Sequence, residues 1–336
     1  MKSYTVVELL GDGISDELSQ SVHAIAAELP CRLVFVPVDL SDDNRRRRGR
    51  ALYAEAVGLM KEHTVSIKYP TATTADSPNK ILRDECDFAV IHRPVATIPG
   101  IENNFKKTID IDVVRIATGG TYEDPGKRLG DDIAVSLRVI ERKPSFYAAR
   151  FAFELAKQRG THVVSASKYT IQQATDGLFE EVVADVAKGY PQIPHRKELF
   201  DALLAGIIMK PEKYAVIVTP NEYGDFLSDS ACGLIGSIGL GDSSSYAFDE
   251  AGNVTCAMFD PAGGTAPDIA GKDLCNPTAA LLSLANLLRH VGELQSSANL
   301  TNALYSAIKE GRKTRDIGGT LGTKEFTAEI ARRLRA

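Results

Sequence analysis

Asp225 and Asp229 stand four residues apart in the segment NEYGDFLSD, which follows a β-branched run and enters an apolar stretch of helical period. That spacing puts both carboxylates on one face of a helix. Paired carboxylates supply part of the oxygen shell that Mg²⁺ or Mn²⁺ takes, with positions left over for substrate oxygens. The same pair also suits a solvated face or a cap, and spacing alone leaves both readings open. Several other chemistries lack an anchor. The sequence has no G-x-G-x-x-G after a strand, no Walker A loop, no G-x-S-x-G elbow and no H-E-x-x-H helix. The ordinary dinucleotide fold, phosphoryl transfer, serine hydrolysis and zinc-peptidase chemistry are therefore unsupported.

The elements that must position such a pair are legible in the hydrophobic pattern. Short β-branched runs at 5–10, 33–38, 87–91, 112–116, 162–165 and 215–219 predict buried strands. Stretches of helical period at 146–158, 178–187 and 279–290 lie between or after them, and the alternation predicts an α/β fold. With 336 residues, 44% of them hydrophobic, the chain can bury the core of two domains or of one large α/β unit. A net charge of -5 argues against a nucleic-acid partner. The basic run 45–48, with Arg50, is expected to be a solvated helix start, since no aromatic residues interleave it. Five scattered cysteines without a CxxC pair indicate neither a disulfide framework nor a zinc site, which predicts a reducing, cytoplasmic setting. The first ten residues are expected to form a strand rather than a signal peptide or membrane span, because Glu8 breaks their short apolar run.

Two longer stretches carry a specific signal. The segments 214–240 (YAVIVTPNEYGDFLSDSACGLIGSIGL) and 259–278 (FDPAGGTAPDIAGKDLCNPT) resemble the two signature stretches of the β-decarboxylating dehydrogenases, which include isocitrate, 3-isopropylmalate, homoisocitrate and tartrate enzymes. The resemblance extends to GDGI at 11–14, ARFAFELA at 149–156 and DIGG at 316–319, and so covers nearly the whole chain. It implies an α/β, isopropylmalate dehydrogenase-like fold of two domains with a large mixed sheet flanked by helices. Residues 1–92 and 238–336 would form the large, cofactor-side domain, and 93–237 the small domain with a dimer interface. It also implies a metal- and NAD-dependent oxidative decarboxylation of a small hydroxy di- or tricarboxylate, in a homodimer with shared active sites.

Site residues follow from the same resemblance. Arg83, Arg93 and Arg115 match the arginines that grip substrate carboxylates, a task suited to guanidinium forks. Asp225, Asp229 and Asp201 match the ligands of Mg²⁺ or Mn²⁺, with Asp201 supplied across the dimer. Lys168 matches a lysine also donated across the dimer, which accepts the proton of the 2-hydroxyl, and Tyr122 matches the acid that protonates C3 after CO₂ is lost. Gly264, Thr265, Ala266, Asp268 and Ile269 match the adenosine loop. Asp268 suits the ribose hydroxyls of NAD and repels a 2′-phosphate. Asn276 matches an adenine contact and is equally suited to cap the helix that follows Pro277.

This chain departs from the pattern at Gly263, where a histidine usually lies against adenine, at Thr170 after the lysine, and at Ile116 after the third arginine. Substrate choice rests on Ser77 and Asn79, polar residues where isopropylmalate enzymes place leucines. They predict an anionic γ-group, as in isocitrate or a close analogue such as homoisocitrate or a phosphonomethyl malate. Lys80 beside them is expected to face solvent. A non-catalytic regulatory subunit is a competing class, suggested by Gly263. It is opposed by the retention of the three aspartates, Lys168 and Tyr122, which a subunit freed from catalysis does not need.

Overall fold

The computed structural model describes residues 1–74, 76–103, 105–236 and 240–335. In chain order the elements are β1 (Ser3–Leu10), α1 (Ser15–Ala26), β2 (Arg32–Asp39), α2 (Asp42–Arg48), α3 (Arg50–His63), β3 (Val65–Lys68), α4 (Pro78–Glu85) and β4 (Phe88–Ala96). Then come β5 (Asp110–Ile116), β6 (Lys127–Arg128), β7 (Ala134–Val135), α5 (Arg142–Arg159), β8 (Val163–Ser167), α6 (Thr175–Ala187), β9 (His195–Leu199) and α7 (Phe200–Met209). The chain ends with β10 (Val216–Thr219), α8 (Asn221–Ile235), β11 (Asp242–Phe248), β12 (Val254–Pro261), α9 (Thr278–His290), α10 (Leu294–Lys309) and α11 (Thr323–Arg335).

Ten of these strands form one mixed sheet in the order β2-β1-β3-β12-β11-β4-β5-β10-β8-β9. Its two flanks are parallel, and the middle, where β12, β11, β4 and β5 meet, is antiparallel. Parallel flanks need both faces covered, which is why β10 is an unbroken buried run, Val216-Ile-Val-Thr219. Helices supply that cover. Helix α9 buries Ala280, Leu281, Leu284, Leu287 and Leu288 completely, while α7 and α8 press Leu203, Ile207, Leu227 and Ala231 onto β5, β8 and β10. The expected boundary at 92/93 falls inside β4, and the one at 237/238 lies outside the described residues.

The basic run is corrected by the structure. Arg45, Arg46, Arg47 and Arg48 occupy the last turn of α2 rather than its start, where cations meet the negative end of the helix dipole. Arg45 is not solvated at all: it is 3% exposed. Among the described residues, no helix is long and apolar enough to cross a membrane.

Candidate active site

The strand β10 delivers α8 to the sheet, and α8 carries both acids of the NEYGDFLSD segment. Its N-terminal half lies so close to β5 that a side chain on Gly224 would place its Cβ 2.6 Å from the Cβ of Arg115. That approach brings the carboxylates to the arginines. The Arg115 guanidinium is buried, donates from Nε to Asn221 Oδ1 at 2.8 Å, and pairs with Asp225. From β4, one nitrogen of Arg93 reaches Ser228 Oγ at 2.7 Å, Asp229 Oδ1 at 3.1 Å and Asp225 Oδ1 at 3.3 Å. The Tyr122 hydroxyl donates to Asp225 Oδ2 at 3.1 Å, beneath the Arg115 guanidinium. Burial, reinforced by the neighbouring Arg93 charge, pulls Arg115 down to about 10. Burial, helped by Asp225, raises the Tyr122 phenol. Four sequence-predicted residues, Arg93, Arg115, Tyr122 and Asp225, thus meet in one cluster, with Asp229 at its edge.

Arg83, on α4, faces the same region from the other side of a cavity of about 190 Å³ that Arg93 and Asn79 also line. Sequence reasoning missed two of its walls. Lys68 ends β3 and is 2% exposed; burial depresses it to about 8. Asp260, near the end of β12, is pushed up by burial and partly offset by Lys68. A lone lysine closing a strand carries no spacing signal, and only its placement beside Asp260 and Arg83 reveals a task. Arg83 Nε, Arg93 Nε, Asn79 Oδ1 and Asp260 Oδ1 are buried without a hydrogen-bond partner among the described residues. Unmet polar atoms cost free energy, so the convergence of two donors and two acceptors on one cavity marks a place shaped for a polar guest that both accepts and donates hydrogen bonds. Ser77 stands at the N-cap position of α4 nearby without a side-chain capping bond, whereas Lys80 faces solvent and pairs with Asp84 at 3.1 Å, as expected.

Lys168 and Asp201 form a second centre. Lys168 follows β8, Asp201 opens α7, and Nζ meets Oδ1 at 2.9 Å, an ion pair that holds the Asp201 carboxyl below its ordinary range. The Lys168 backbone is fixed in turn: its N–H donates at 2.7 Å to the fully buried Asp176, which also holds Arg138 at 2.8 Å. No contact among the described residues joins this pair to Asp225, and none of the described residues gathers three ligating side chains in one place. Ile171, three residues beyond Lys168, is 72% accessible, and Ile208 and Met209 at the far end of α7 are also exposed.

The predicted cofactor loop runs past β12 with Gly264 and Asp268 exposed and Ala266 at a left-handed φ of 38°. The first-strand loop supports it. Ile14 donates to the Thr265 carbonyl at 2.9 Å, and Gly13, at φ 60°, lies where a Cβ would strike that same oxygen. Its neighbour Gly11 abuts the Pro70 carbonyl just as closely. Asn276 accepts from the Thr278 N–H at 3.0 Å, so its capping role is real, and its amide reaches Asp316 at 2.9 Å. Ile269 closes the loop with a bond to Ala266 at 3.2 Å.

Comparison with known proteins names the class. The family model for isocitrate/isopropylmalate dehydrogenase matches residues 5–330. A 3-isopropylmalate dehydrogenase of Archaeoglobus fulgidus is 37% identical over 329 residues, covering 97% of this chain and 98% of that protein. A probable NAD isocitrate dehydrogenase alpha subunit of Caenorhabditis elegans is 34% identical over 97% of this chain and 90% of its own length. Among solved structures, isocitrate dehydrogenase from Methylococcus capsulatus superposes with a TM-score of 0.89 at 28% identity, over 99% of this chain and all of that one. The chain belongs to the isocitrate/isopropylmalate dehydrogenase family. Its fold is the one expected from sequence.

Proposed function

We propose that this chain oxidises and decarboxylates a 2-hydroxy-3-carboxy acid with an anionic γ-group, isocitrate or a close analogue, using NAD and Mg²⁺ or Mn²⁺. The observation that carries this is the convergence of Arg83, Arg93 and Lys68, with Asp260 and the Asn79 amide beside them, on one small cavity next to Asp225. Three cations and an amide suit a multiply charged acid far better than an isopropyl group, whose burial there would leave polar atoms unpaired. The competing substrates are homoisocitrate, 3-isopropylmalate and a phosphonomethyl malate.

The donor set fits a hard divalent cation. Asp225 and Asp229 contribute carboxylate oxygens from adjacent turns of α8, and the partner subunit's Asp201 would add a third. When bound, the cation acidifies the C2 hydroxyl and NAD accepts hydride from C2. Arg83, Arg93 and Arg115 grip the carboxylates and fix the reacting carbons in place. Lys168, from the second subunit, takes the hydroxyl proton, and Tyr122 returns a proton to C3 once the β-carboxylate has left as CO₂. Asp268 lies in the exposed loop where it would meet the ribose hydroxyls of NAD, with Gly264, Thr265, Ala266, Ile269 and Asn276 around the adenosine. The absence of any hydrogen bond or ion pair between Lys168 or Asp201 and Asp225 among the described residues supports a homodimer with shared sites. On this reading, 93–237 is the interface-forming domain, and the cleft lies between it and the rest. Five buried free thiols fit a reducing cytoplasm.

The test is NADH formation at saturating NAD with Mg²⁺ or Mn²⁺, offering isocitrate, homoisocitrate, 3-isopropylmalate, malate, tartrate and a phosphonomethyl malate in parallel. Turnover of a γ-anionic acid, abolished by chelator, is expected. Turnover of 3-isopropylmalate alone overturns the γ-group assignment, and no turnover of any acid favours a regulatory subunit.

A further inference from the structure

Arg45 is the misread member of the basic run, and its partners explain its burial. Its Nε donates to the Leu40 carbonyl at 2.9 Å, one terminal nitrogen donates to the Ala72 carbonyl at 2.7 Å, and the other pairs with Asp76. Asp12 and Asp42 stand 3.5 Å away. The same acids hold the same loop: Asp12 accepts the Ala72 N–H at 2.7 Å and the Asp42 N–H at 2.8 Å, Thr74 donates to Asp42 at 2.6 Å, and Tyr53 of α3 donates to Asp76 at 2.8 Å. One guanidinium therefore ties the β1 loop, α2 and α3 to the stretch between β3 and α4. Asp76 directly precedes Ser77, the N-cap residue of α4, and Asn79 is the second residue of that helix.

We infer that Arg45 is a positioning residue: by clamping Ala72 and Asp76 it fixes where Ser77 and Asn79 stand, and so sets how sharply the site discriminates among γ-substituents. The inference rests on the reading of Ser77 and Asn79 as the γ-contacts. A buried guanidinium with several charged partners is not replaceable by another side chain without leaving acids unpaired, which loosens the loop rather than the sheet.

The experiment compares wild type, Arg45→Met, Arg45→Lys and the surface control Arg48→Met. Hydrogen–deuterium exchange is followed at 71–74, 76, 77 and 79, and kcat/KM is measured for isocitrate and for malate, which has no γ-group. In Arg45→Met, loop amides exchange about tenfold faster while those of β1 hold their rate, and the isocitrate-to-malate ratio of kcat/KM falls about tenfold, mainly through KM. Arg45→Lys, which keeps the charge but gathers its donors on a single nitrogen, falls between, and it carries the test if the methionine variant does not fold. Arg48→Met, whose partner is Glu55, changes neither readout. Unchanged loop exchange, or an unchanged ratio in an active enzyme, overturns the inference. A loosened loop in a chain whose wild type oxidises neither acid upholds the clamp and overturns the proposed activity instead.

Discussion

The two chemical centres of this molecule are built in opposite ways. The Asp225 centre is assembled by the core: Arg115 emerges from a strand buried from Ile111 to Ile116, Gly224 lets α8 lie against it, and Asn221, Ser228 and Tyr122 complete the bonding within one chain. The Lys168 centre is anchored from below by Asp176 but opens outward, with Asp201 exposed to solvent. A centre whose partners are all internal is preorganised in a single chain, whereas one that turns its reactive nitrogen outward is organised for use by another chain. On the proposed dimeric reading, the first centre is one that a single chain holds and the second one that a partner subunit uses.

The largest effect expected is at the first centre. Asp225→Ala removes a carboxylate that two arginines and a tyrosine share, and kcat falls by about a thousandfold or more with the fold retained by circular dichroism. A smaller loss redistributes the role to Asp229. At the second centre Lys168→Ala lowers kcat by about a hundredfold or more. Mixing Lys168→Ala chains with Asp225→Ala chains restores about a quarter of wild-type activity, because half the dimers form by chance with one intact site of two. No recovery on mixing breaks the comparison, since each chain would then serve itself.

A gentler probe is pH. Lys68 is charged below about 8 and neutral above it, so affinity for an acidic substrate is present at lower pH and lost as pH rises through that value. Lys68→Met raises KM about tenfold below pH 8 and removes the step, read from kcat/KM profiles. The stability counterpart has the opposite sense: a depressed lysine binds fewer protons folded than unfolded between pH 8 and the ordinary lysine range, so its burial costs less as pH rises there. The smallest effect is Gly224→Ala. Overpacking against Arg115 costs about 1–3 kcal/mol, seen as a Tm lowered by a few degrees.

Strands with short β-branched runs, such as β1, β5 and β10, were legible because neighbouring strands and helices bury them. Strand β11 was not, since Asp242-Ser-Ser-Ser245 looks like a loop, yet all four residues are buried in the antiparallel middle of the sheet. The site residues became legible through motif context rather than spacing. Where no motif reached, the site stayed hidden: Lys68 and Asp260 announce themselves only when β3 and β12 are paired. Arg45 was hidden by its neighbours, because four consecutive arginines look equally solvated until a helix turns one of them inward.

The glycines of the first-strand loop carry a consequence for anyone redesigning this enzyme. Gly11 abuts Pro70, at the root of the loop that leads to Ser77, while Gly13 abuts Thr265, in the predicted cofactor loop. Three successive residues thus act as a common abutment for two specificities. Grafting a new substrate loop or a new cofactor loop shifts the same support, so the two swaps will not combine additively. The recipient of both grafts needs its GDG segment chosen with them, as one module of three parts.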